Sequence, residues 1–217
     1  MRRPVGYLGP SLPLEEAKCI LDAEYRPPIK RGDLQHIIKE DTDTVAIIDG
    51  VFLQSCAVGH REILHIINSG IKVYGASSMG ALRAAELAHY GMIGHGKIFE
   101  MYSQGFVEGD DEVALVFDPD TLEPLSEPMV NIRFLLDRAV ISDILSAEGA
   151  HSLLERFRAV YYPRRTLTLF KDMVREVDSS ETVGGLYRFI VDNYRDIKKE
   201  DAIGLLELLR KEGKNSI

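Results

Sequence analysis

The sequence predicts an α/β protein: a parallel sheet flanked by helices, with a mostly helical C-terminal region. Three observations carry this expectation. Strand and helix signals alternate at short, regular spacing through the first ninety residues, and such β-α-β spacing demands right-handed crossovers between parallel strands. The run Thr44-Val-Ala-Ile-Ile48 is apolar enough to be a strand covered on both faces. From Ser126 onward the pattern is almost wholly helical.

Taken in order, Val5-Gly-Tyr-Leu8 reads as the first strand, broken by Gly9-Pro10-Ser11. A helix follows from about Pro13, with Glu15 and Glu16 in its first turn. Tyr25-Arg-Pro-Pro28 is extended, because a residue preceding proline is pushed out of the α region. A short helix is expected over 33–39, a strand over 44–48 ended by Asp49-Gly50, a helix over 57–68 and a strand over 72–76. The helix over 80–90 follows at once and is stopped by Gly91. The stretch 91–96 is read as a glycine-rich loop, 97–105 as helical or extended, and 113–117 as a strand. Five helices are expected near 128–138, 142–159, 163–176, 183–194 and 199–213. The domain reading is an α/β core over 1–125 and a helical region over 126–217 packed on it.

Composition narrows the function classes. The 217 residues carry a net charge of −8, which argues against a protein that coats nucleic acid. Arg26, Lys30 and Arg31 form only a local basic patch, and the charge is otherwise that of a soluble protein. No apolar run approaches the length of a membrane span, and no signal-peptide or lipidation pattern opens the chain. Two cysteines, Cys19 and Cys56, make no disulfide framework, and no Cys/His cluster has zinc spacing. A reducing cytoplasm fits this pattern, with no metal and no cofactor called for.

The chemistry-bearing feature is Ala76-Ser77-Ser78-Met79-Gly80, a small-x-Ser-x-Gly sequence between a strand and a helix. A serine at such a turn can lift its hydroxyl above the sheet beside the free N–H groups of the helix start. Those of Met79 and Gly80 could bind an oxyanion or an anionic ligand, and the helix dipole acts in the same direction. The plainer reading, that Ser77 or Ser78 merely caps the helix, has equal weight on the pattern alone. A nucleophile also needs a base and an orienter. Asp49 ends the neighbouring strand and His60 starts the following helix, so Ser78, His60 and Asp49 are the candidate catalytic group. His60 and Asp49 have ordinary alternatives, a helix histidine bonded to a nearby carbonyl or to Glu62 and a turn aspartate before Gly50. Arg83 and Glu86 can pair on one helix face, and Arg83 could instead hold a carboxylate terminus. Asp110-Asp-Glu112 is read as a helix cap or polar loop in preference to a Mg²⁺ site.

Together, Gly9-Pro-Ser11, Arg31-Gly-Asp33, Ile47-Ile-Asp-Gly-Val-Phe52, His60-Arg-Glu-Ile-Leu64, Gly75-Ala-Ser-Ser-Met-Gly-Ala-Leu-Arg-Ala-Ala-Glu-Leu87, Asp110-Asp-Glu-Val-Ala114 and Ser126-Glu-Pro-Met-Val-Asn-Ile-Arg133 resemble the TfuA-like family. The resemblance spans about 5–133, and beyond it no family motif is recognised. It implies a partner of YcaO enzymes, which use ATP to convert a peptide backbone amide to a thioamide. The implied activity is hydrolysis of a C-terminal thiocarboxylate on a ThiS-like, ubiquitin-fold carrier, releasing hydrosulfide. Ribosomal peptide precursors and methyl-coenzyme M reductase are the implied final targets, without a choice between them.

On this expectation Ser78 attacks the thioacid carbonyl, His60 takes the proton, and Ser77, Met79, Gly80 and Arg83 bind the substrate. Gly9 and Ser11, with the 91–96 loop, would wall a cleft for the carrier's tail. The roles of His60 and Asp49 rest on expected geometry alone. Three other readings compete: a non-catalytic adaptor that brings the sulfur donor to YcaO, persulfide transfer through a cysteine, and a phosphate site at the same helix. The turn lacks the Gly-x-x-x-x-Gly-Lys-Ser/Thr pattern of a nucleotide loop. The sequence leaves a homo-oligomer open.

Overall fold

The computed structural model describes residues 2–52, 56–176 and 180–215. The chain divides into two compact units, Met1–Asp110 with Lys198–Ile217, and Asp111–Ile197.

The first unit is built on a five-stranded, all-parallel sheet: β1 (Val5–Tyr7), β2 (Glu24–Arg26), β3 (Thr44–Ile47), β4 (Lys72–Gly75) and β5 (Ile93–Gly94), in the order β2-β1-β3-β4-β5. The crossovers carry α1 (Leu14–Ile20), α2 (His60–Asn68) and α3 (Met79–Leu87), and α4 (Lys97–Ser103) follows β5. Every residue of β3 is buried, as expected of a central parallel strand. One face of the sheet packs Val5, Tyr7, Val45, Ile47 and Val73 against Ile63 and Ile66 of α2 and Leu82 of α3. The other face sets Ala46, Ile48 and Tyr74 against Leu205, Leu206 and Leu209 of α9 (Ile197–Asn215). The last helix therefore completes the sheet unit, whereas the sequence reading grouped it with the helices before it.

The second unit contains α5 (Met129–Ile141), α6 (Ala147–Arg158), α7 (Leu167–Glu176) and α8 (Ser180–Asn193). Its core joins Ile132 and Leu136, Leu153 and Phe157, Phe170 and Ile190, with the Phe157 and Phe170 rings edge to face at 5.3 Å.

Several expected elements differ. The 91–96 loop contains β5, too short to register as periodicity and defined by its pairing with β4. The expected strand over 113–117 does not form; only an isolated bridge joins Phe117 to Pro124, after a 3-10 turn over Asp110–Glu112. Only Ile37–Lys39 of the expected helix over 33–39 is helical, as a single 3-10 turn. The helix expected from 57 starts at His60, where the Glu62 carboxylate reaches back to the Gly59 N–H. No helix among the described residues is long and apolar enough to cross a membrane.

Candidate functional site

The carboxyl ends of β1, β3 and β4 lie side by side, and the residues that leave them make the site. The order 2-1-3-4-5 reverses direction between β1 and β3, which is where doubly wound sheets open a crevice for ligands.

The turn from β4 into α3 is held by backbone contacts. The Ala76 N–H donates to Ile47 O, while those of Ser78 and Gly80 donate to Ile48 O. Ser78 N–H also reaches Ala76 O at 2.9 Å, closing a γ-turn around Ser77, whose φ is 67°. A non-glycine residue there carries strain of about 1 kcal/mol or more. The small residues have a steric cause: a Cβ on Gly80 would lie 1.8 Å from Ile47 O, and one on Gly75 would lie 2.1 Å from Gly80 O.

The two serines face different surroundings. Ser77 is fully buried, and its hydroxyl donates to Ser11 Oγ at 2.8 Å. Ser11 Oγ in turn donates to Asp49 Oδ1 at 2.6 Å, and Asp49 Oδ2 accepts the N–H groups of Gly9 and Ser11. Ser78 precedes the first residue of α3, yet its side chain makes no capping bond. Neither its hydroxyl nor the Met79 N–H has a hydrogen-bond partner among the described residues. The Met79 N–H therefore remains available as an oxyanion donor. The Gly80 N–H, expected to share that role, is committed to Ile48 O.

A pocket of about 550 Å³ is walled by Phe52, His60, Met79, Leu82, Arg83 and Glu86; Ser78, the residue before Met79, is 2% exposed and is not part of its lining. His60 Nε2 lies 2.7 Å from Glu86 Oε2. The same oxygen accepts from Arg83, whose Nε is fixed to Val58 O at 3.2 Å. Asp49 was expected to orient His60. It does not: its carboxylate is filled from the β1 loop, and Glu86 is the acid on the imidazole. The pairing has a simple origin, since Asp49 and Ser11 leave adjacent strands, whereas His60 and Glu86 sit on helices flanking the pocket.

The acidic run 110–112 has a structural explanation. Glu112 is 2% exposed and accepts from both Arg133 and Arg158 at 2.6 Å, while Asp111 pairs with Arg165 at 3.0 Å. Among the described residues no cluster of His, Cys, Asp and Glu could hold a metal ion. The Ser126–Arg133 motif serves the same unit. Ser126 Oγ accepts the Val116 N–H, and Glu127 accepts from Tyr194 and Asn131.

A family model described as TfuA-like protein matches residues 49–166, more than half of the chain. The chain belongs to the TfuA-like family. Among curated proteins no relative matches it. The match begins at Asp49 and takes in the β4–α3 turn, His60 and Glu86 of the first unit. It continues through the Glu112 cluster of this TfuA-like protein's second unit.

Proposed function

We propose that this TfuA-like protein is an accessory hydrolase of YcaO-dependent thioamidation, cleaving the C-terminal thiocarboxylate of a ThiS-like, ubiquitin-fold carrier to release hydrosulfide. The observation that carries the reading is the buried Ser78 hydroxyl, without a partner among the described residues and beside an unclaimed helix-start N–H, one residue before Met79 of a pocket that holds a histidine–carboxylate pair.

In this reading Ser78 Oγ attacks the carbonyl carbon and its proton passes to His60, which Glu86 orients. The Met79 N–H meets the developing oxyanion. The C–S bond breaks as His60 passes that proton to the sulfur, which leaves as hydrosulfide, and an ester to Ser78 remains. Water, deprotonated by His60, then cleaves the ester and restores the serine, leaving the carrier as a carboxylate. Ser78 and His60 share no hydrogen bond in the free protein; such bonds often tighten only when substrate is bound. Arg83, already directed at one carboxylate, supports binding of the anionic tail.

The alternative is a non-catalytic adaptor that recruits the sulfur donor to YcaO, and reconstitution separates the two. With YcaO, ATP, peptide and thiocarboxylated carrier, the wild type is expected to support thioamide formation. Ser78→Ala is expected to fail unless sulfide is added. Full activity of Ser78→Ala without added sulfide would establish the adaptor instead.

A further inference from the structure

We infer that Ser11 and Asp49 are positioning residues, acting through Ser77 to hold the β4–α3 turn so that Ser78 presents its hydroxyl. This rests on the reading of Ser78 as nucleophile.

The chain Ser77–Ser11–Asp49 crosses three adjacent strand ends. Its members are 0%, 3% and 1% exposed. Burying a carboxylate and two hydroxyls is costly unless each finds partners, and alanines would fill the same space without that cost. Here every side-chain polar atom of the three residues is bonded, and Asp49 alone takes three donors.

Ser77 supplies the second argument. Its φ of 67° would suit glycine without strain, so a serine there adds only its hydroxyl, and that hydroxyl is spent on Ser11. Fixing Ser77 fixes the peptide that follows. Ser78 N–H then stays on Ala76 O and Ile48 O, which sets the direction in which the Ser78 side chain leaves the backbone. The loop 9–11 is thus a brace behind the turn, bonded to Asp49 and Ser77, whereas the sequence reading placed Gly9 and Ser11 in the wall of a cleft for the carrier.

An alkyl fluorophosphonate tests this without the carrier, by its rate of covalent attachment to Ser78 followed by peptide mass spectrometry. Ser11→Ala and Ser77→Gly keep the backbone accessible and remove one link each. Both are expected to label at least tenfold more slowly than wild type. In carrier hydrolysis they should lower kcat by a similar factor and leave KM unchanged, a split that general loosening of the fold would not give. If Ser11→Ala fails to fold, Ser77→Gly decides alone, since glycine relieves strain at that φ. Wild-type labelling rates in the variants overturn the positioning role alone. Absence of labelling in the wild type overturns the nucleophile reading and the brace together.

Discussion

At the residue scale, the proposed chemistry rests on four side chains, and two of them pair differently from the sequence expectation. The places of Ser78 at a strand–helix turn and of His60 at a helix start were legible because both are local signals. Glu86 was legible only as the partner of Arg83, three residues away on one helix face. Its bond to His60 spans 26 residues and has no periodic signature. Asp49 was misplaced for the same reason, because its partner Ser11 lies 38 residues earlier and nothing in either segment announces the other. If Glu86 holds the imidazole, Glu86→Gln should lower kcat for carrier hydrolysis roughly tenfold with little change in KM. His60→Ala should cost on the order of a hundredfold or more, as expected for removal of a general base. Steady-state kinetics on the two variants checks both.

At the element scale, the turn works because α3 begins in backbone contact with the strands beside it. Gly75 and Gly80 are the residues that permit this, and no rearrangement of side chains could make room for a methyl group against Ile47 O. Gly80→Ala is expected to destabilise the sheet unit by about 2 kcal/mol or more, the upper range for forced overpacking. Urea denaturation would show it as a lower midpoint. Alternation of hydrophobic patterns made β1, β3, β4 and the helices between them readable. β5 was not readable, because a two-residue strand between glycines has no period of its own and exists through pairing with β4. The run 113–117 misled in the opposite direction. Its apolar residues Val113 and Ala114 are buried in an irregular segment beside the Glu112 cluster, with no neighbouring strand to complete a ladder.

At the scale of the whole molecule, the chain returns to its sheet after the second unit, and α9 is fastened there by a buried carboxylate. Asp201 accepts the N–H groups of Lys97 and Ile98 at 2.8 Å each, at the start of α4. Burial is the main reason its carboxyl is pushed up to about 6, with the N–H donors opposing and Glu100 and Glu200 assisting. A folded pKa above the unfolded one means that this group's contribution is fully present below about pH 4 and lost as pH rises through 6. The expected loss is about 3 kcal/mol. Asp201→Asn stays neutral, so its stability relative to wild type should rise across that window, read as the difference between their melting temperatures from pH 4 to 7. His95, whose pKa burial lowers, opposes the trend in both proteins and cancels in the comparison.

If the serine turn performs the proposed chemistry on the carrier, Ser78 is indispensable to sulfur release. The most direct measurement is the loss of sulfur from a thiocarboxylated ThiS-like carrier, followed by intact mass with wild type and with Ser78→Ala in the absence of YcaO. The wild type is expected to convert thiocarboxylate to carboxylate, and Ser78→Ala to give none above background. Equal conversion by the two proteins would contradict that role of Ser78.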